Sequence, residues 1–149
     1  MEFVHEVTAY LENKPGRLAK ICSALAHEKV DIRALSVMDP NGQSVLRLVT
    51  DDRELTTRVL TSLGTEHTWA DVLAVEMDHK PGSLSRVLER LAESHLNVEY
   101  AYVSASSGPG SRSLGIFHTS NPKKALQVLS DATSSTDSSP QGRRPLHVR

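Results

Sequence analysis

Between residues 3 and 25 the spacing of apolar positions changes once. Phe3, Val7, Ala9 and Leu11 occupy alternate positions, the period of a strand with one buried face. Leu18, Ile21, Cys22 and Leu25 then follow at steps of three, one and three, the stripe of an amphipathic helix. The same change recurs at an offset of 66, with Trp69, Leu73, Val75 and Met77 in strand period and Leu84, Val87, Leu88 and Leu91 in helix period. The junction is spelled almost identically in the two copies, ENKPGRL from residue 12 and DHKPGSL from residue 78. Pro15 and Pro81 suit a first helical turn, where the missing N–H costs nothing.

Each copy then continues alike. Val30, Ile32 and Ala34, and again Leu96, Val98 and Tyr100, alternate with polar residues and predict a second strand. DPNG at 39–42 and SSGPG at 106–110 are hairpin turns, each ahead of a third strand, SVLRLV at 44–49 and SLGIF at 113–117. Asp51 or Asp52 can cap a helix carrying Leu55, Val59, Leu60 and Leu63, and Ser120 or Asn121 a helix carrying Ala125, Leu126, Val128 and Leu129. Thr65 to Thr68 can close the first copy, giving the β-α-β-β-α-β order of a ferredoxin-like unit. The second copy has no evident closing strand. DATSSTDSSPQGRRP is a serine-rich, proline-broken stretch that reads as a flexible tail, with Leu146 to Val148 as a short alternative edge strand.

The expectation is therefore an α+β protein of two ferredoxin-like units, residues 1–68 and 69–132, with a polar tail over 133–149. The antiparallel sheets join edge to edge and carry the helices on one face.

Composition narrows the chemistry. The formal net charge of −1 and an aromatic fraction of 4% argue against a nucleic-acid surface, and the longest apolar runs are too short to cross a bilayer. One cysteine, Cys22, excludes an intrachain disulfide and fits a reducing cytoplasm; its place on the helical stripe makes it a core thiol rather than a nucleophile. The seven histidines lack metal-ligand spacing, and no nucleotide-binding or nucleophile motif is present. No cofactor, metal or catalytic residue is expected. Tyr100 and Tyr102 share a strand face and suit core or interface packing with hydroxyls at the rim.

Candidate binding chemistry sits at the doubled junction. A helix start leaves N–H groups without intrahelical partners and carries partial positive charge, so Gly16, Arg17 and Leu18, or Gly82, Ser83 and Leu84, can receive a carboxylate. Asn13 with Asp31, and His79 with Asn97, supply polar side chains at an equal spacing of 18 that can meet an ammonium group.

The strand, K-P-G-x-L helix, strand unit, present twice over about residues 3 to 130, resembles the ACT domain, a small regulatory module that binds amino acids. Two units without an attached catalytic segment are similar to the tandem ACT-domain proteins. The resemblance implies a non-enzymatic amino-acid sensor with its ligand where ACT units meet, acting through a homodimer or a partner enzyme at its sheet edges. In that family the strand-helix loop of one unit faces the start of the second strand of the other. Carried over, this pairs Asn13 with Asn97 and His79 with Asp31, and only the second site holds a carboxylate. A regulatory subunit of a separate enzyme is the alternative implied role.

Overall fold

The computed structural model describes residues 1–105 and 110–135. The order is β1 (Glu2–Glu12), α1 (Arg17–His27), β2 (Ile32–Met38), β3 (Gln43–Thr50), α2 (Arg53–Ser62), β4 (His67–Asp78), α3 (Ser83–Glu93), β5 (Val98–Ala105), β6 (Arg112–Thr119) and α4 (Pro122–Ser135). A 3-10 turn, Pro40–Gly42, links β2 to β3, with Asn41 and Gly42 both at positive φ. The described residues form one six-stranded antiparallel sheet, ordered β2-β3-β1-β4-β6-β5. This is the doubled α+β plan that the periodicity predicts.

The two units join through β1 and β4, and the register explains how. Glu2 pairs with Ala74 and Ala9 with His67, so His5 and Asp71, which are repeat equivalents, lie opposite each other at the centre of an internal two-fold relation. The first half of β4 closes unit 1, and the first half of β1 takes the corresponding place beside Leu73 and Ala74 in unit 2. The closing segment expected at Thr65 to Thr68 is thus the start of one long strand, and the expected boundary at 68/69 falls inside it. Among the described residues, the strand beside Leu73 and Ala74 in the second unit is the N-terminal one. Leu146 to Val148 lie outside the described residues, as does the expected tail from residue 136; α4 itself runs to Ser135.

Paired residues of antiparallel strands share a face, so Val7, Ala9 and Leu11 point the same way as Leu73, Val75 and Met77. The first set packs with Ile21, Leu25, Val59 and Leu60 of α1 and α2. The second packs with Leu91, Ala125 and Leu129 of α3 and α4. All four helices therefore cover one face. The opposite face is also closed: Cα atoms of β2 and β5, the two outer strands, come within 8 Å of each other. This curl buries Val4, Ala34, Val49, Val72, Ala74 and Ile116 in a third cluster.

Glu6 lies fully buried on that inner face. Its carboxylate accepts hydrogen bonds from the hydroxyl of Tyr100 and, at 2.7 Å, from that of Tyr102. Arg47 lies over the Tyr100 ring at 3.9 Å, and His118 stacks on Tyr100 at 4.7 Å. The tyrosine hydroxyls are thus inside the protein and not at the rim. Burial first, and then the Glu6 carboxylate, raise both phenols well above the ordinary tyrosine value.

The helical stripes are wider than the core they serve. Ile21, Leu25 and Leu91 are buried, Cys22 is half-buried, and Leu18, Leu84 and Leu88 are exposed.

Candidate functional site

The doubled K-P-G is a turn before it is a helix start. Arg17 N–H reaches back to Lys14 O at 3.4 Å, and Ser83 N–H to Lys80 O at 3.3 Å. Gly16 has φ 85° and ψ −8°, and Gly82 has φ 89° and ψ −12°. Proline at the second position and positive φ at the third define a type II turn, whose third position favours glycine. Pro15 and Pro81 therefore sit in this turn rather than in the first helical turn, and the helices begin at Arg17 and Ser83.

The consequence lies in the capping. Asp52 caps α2 by accepting from Leu55 N–H at 2.9 Å, and Asn121 accepts from Lys124 N–H at 3.1 Å at the start of α4. Gly16 and Gly82 have no side chain to offer, and neither first turn contains an acidic residue. The turn itself takes up the N–H of Arg17 and of Ser83, and the N–H groups that follow, from Leu18 and Leu84, have no side-chain cap at the positive end of the helix dipole.

Around Gly16, Asn13 Nδ2 donates to Asp39 Oδ2 at 3.0 Å. Glu12 meets Lys14 at 2.9 Å and Arg17 at 3.4 Å, and the hydrogen bond and charge of Lys14, then Arg17, lower its carboxyl below the ordinary range. Asn13 lines an open cavity of about 440 Å³ with Gly42 and Gln43. Around Gly82, His79 Nδ1 lies 2.9 Å from Ser113 Oγ, and these two share a cavity of about 150 Å³ with Ser83, Leu84 and Val103.

Asp31 and Asn97 hold equivalent backbone positions, accepting at 3.1 Å from Asp51 N–H and at 3.2 Å from Ser120 N–H. The alternating strand directions put Asn13 and Asn97 at one end of the sheet and Asp31 and His79 at the other. Among the described residues, no hydrogen bond or cavity joins Asn13 to Asn97 or His79 to Asp31. His79, Ser83 and Leu84 are brought together; the four polar side chains are not.

Sequence reasoning missed Ser113. Its signal is the serine that opens both third-strand motifs, since Ser113 pairs with Met77 as Ser44 pairs with Leu11. It also missed Val37 and Val103, exposed beside the helix starts that hold the predicted Leu18 and Leu84. Leu84 and Val103 line one cavity, and their equivalents Leu18 and Val37 are likewise exposed.

With the fold and both helix starts defined, comparison places the chain. The family model described as ACT domain pair matches residues 2–136, and the chain belongs to that family. No curated protein sequence matches it. Its fold is similar to that of a Bacteroides thetaiotaomicron protein at 24% identity, with a TM-score of 0.79 over 88% of this chain and 89% of that one. It is also similar to the ligand-free regulatory subunit of aspartate kinase from Thermus thermophilus, at 15% identity and a TM-score of 0.63 over 89% and 97% of the two chains. Aspartate kinase from Synechocystis matches at 13% identity and a TM-score of 0.59, over 96% of this chain and 27% of that enzyme. Among the described residues no helix is long and apolar enough to cross a membrane.

Proposed function

We propose that this ACT domain pair is a non-catalytic amino-acid sensor whose ligand carboxylate rests on the start of α1 or α3. The carrying observation is the contrast in capping: α2 and α4 satisfy their first turns with Asp52 and Asn121, whereas α1 and α3 begin at glycines that leave theirs open. The ammonium end meets Asn13 and Asn97 at one site and His79 and Asp31 at the other. Each pair lies at one end of the sheet, and a second copy meeting this one along β2 and β5 brings its members together. The exposed Leu18, Val37, Leu84 and Val103 are the apolar surface such an association covers. Asp31 adds its carboxylate to the His79 site, whereas Asp39 at the Asn13 site is already bonded to Asn13 itself, so the two affinities differ.

A second reading is a regulatory subunit that acts on a separate enzyme through ACT–ACT contacts, with or without ligand. The same exposed apolar side chains favour it, and a relative in fold carries the description regulatory subunit of aspartate kinase.

Calorimetric titration of the twenty amino acids, with sedimentation in the presence and absence of the one that binds, tests both. Heat at micromolar to millimolar ligand together with a shift in association state supports the sensor. Absence of heat for every amino acid at millimolar concentration removes it and leaves the subunit reading. Asn13→Ala and Asn97→Ala should weaken one site by about tenfold, or about 1.4 kcal/mol, and His79→Ala and Asp31→Ala the other.

A further inference from the structure

The repeat-equivalent side chains Asn13 and His79 are held by different partners. Asn13 is fixed by its Nδ2, which donates to Asp39 Oδ2 at 3.0 Å, so its carbonyl Oδ1 is the atom left to accept from an ammonium group. An amide has no proton to gain or lose there. His79 is fixed by its Nδ1, which lies 2.9 Å from the hydroxyl of Ser113, a buried residue of β6. Nε2 is the ring nitrogen left for a ligand. Both residues line the cavity of about 150 Å³ that reaches Ser83 at the start of α3.

A neutral imidazole carries one proton, and only its bare nitrogen accepts a hydrogen bond. For Nε2 to accept, the proton must sit on Nδ1 and be donated to Ser113 Oγ. A second proton turns both nitrogens into donors and gives the ring a charge that repels an ammonium group. Histidine makes that change between about pH 5 and 8. The groups around it are of other kinds. Asp78 and Lys80 flank His79 in the chain and pair at 3.9 Å, and Arg112 of β6 reaches Asp78 at 3.7 Å. Met77 of β4, Ser83 and Leu84 of α3 and Val103 of β5 complete the wall.

We infer that the α3 site is acid-sensitive and the α1 site is not, with His79 as the titrating acceptor and Ser113 as the positioning residue that keeps Nε2 bare. The inference rests on the reading of His79 as a partner of the ligand's ammonium group. At higher pH the neutral ring accepts from the ligand. As pH falls, the protonated ring turns from acceptor to donor and competes with the ammonium group for Asp31.

The full chain labelled with nitrogen-15 gives two readouts. Ring-nitrogen shifts of the free chain at about pH 7.5 show which nitrogen of His79 carries the proton. The Nδ1–H form is expected; Ser113→Ala should convert it to the Nε2–H form, and Ser113→Thr should retain it. Amide shifts during titration with each of the twenty amino acids, at about pH 7.5 and about pH 5.5, report binding. Affinity at Gly82–Leu84 should fall about tenfold at the lower pH, while affinity at Gly16–Leu18 changes less than about twofold. His79→Gln keeps an acceptor without a titrating ring and should remove the step. An Nε2–H ring in the free wild-type chain overturns the inference, as do equal pH profiles at the two helix starts or a step that persists in His79→Gln; the sensor reading survives all three. An amino acid that shifts only Gly16–Leu18 overturns the inference as well. No shift at either helix start with any amino acid overturns it together with the sensor reading.

Discussion

Replacing Gly16 or Gly82 by alanine isolates what the doubled K-P-G does for folding. A Cβ built at either position meets no atom within 4 Å, so neither a clash nor a new contact enters the cost. What remains is the backbone, held at φ 85° and 89°, where an L-residue with a side chain is disfavoured by about 1–2 kcal/mol. Against this runs the smaller entropy of the unfolded chain when glycine is lost, about 0.4–1 kcal/mol. The net loss is about 1 kcal/mol per site, or a fall in Tm of about 2–4 °C for a chain of this size. The two turns share no partner, so the double variant should lose about 2 kcal/mol. Asparagine, which tolerates positive φ, should cost less than alanine at either site, and valine more. Urea denaturation of the six single variants and the double variant measures this. An unchanged midpoint for Gly16→Ala and Gly82→Ala would refute the type II turn, and a loss above about 3 kcal/mol would show that the glycines pack against something. The strain also bears on binding experiments: Gly16→Val or Gly82→Val disturbs the turn and the ligand's approach together, so side-chain variants at Asn13, Asn97, His79 and Asp31 are the cleaner probes.

Further outcomes follow from the core and the join. The phenols of Tyr100 and Tyr102 are raised in the folded state, so their contribution to stability is complete below the unfolded tyrosine value near about 10 and is lost as pH climbs above it. Alkaline unfolding monitored at the phenolate band should be less steep in Tyr100→Phe and Tyr102→Phe, and wild-type steepness in both would contradict the buried Glu6 clamp. Tyr102→Phe should itself cost about 1.5–3 kcal/mol, as expected for a hydrogen bond to a carboxylate. Deleting Met1 to Val4 should expose the Val72–Ala74 amides to hydrogen exchange before those of β3, because those N-terminal residues occupy the closing position in unit 2. Gly115→Ala should destabilise by about 1–3 kcal/mol in urea titrations, since its Cβ would stand 2.6 Å from the buried Phe117 ring.

Much of this architecture is legible in the chain because the two periods recur at one offset. Val7, Ala9 and Leu11 identify the helix-covered face of β1, and Leu73, Val75 and Met77 the same face of β4. The cap residues Asp52 and Asn121 follow from side-chain chemistry alone. The lost closing strand of unit 2 does not, because strand exchange depends on where β1 lies against β4, a long-range register that no local pattern encodes. Glu6 is equally hidden. It reads as the solvent face of an alternating strand, and only the curl that brings β5 round to β1 turns that face inward. At the candidate site, the glycines and the His79 and Asn13 positions are visible as a repeat. That the glycines cap nothing, while two other helices are capped, emerges only when all four helix starts are compared in space.

The most direct test of the sensor account is the amide spectrum of the full chain titrated with each amino acid to millimolar concentration. Saturable shifts confined to Gly16–Leu18 or Gly82–Leu84 and their neighbours, produced by at least one amino acid and absent with its decarboxylated amine, are expected. Shifts that leave both helix starts unmoved, or no shift with any amino acid, would contradict it.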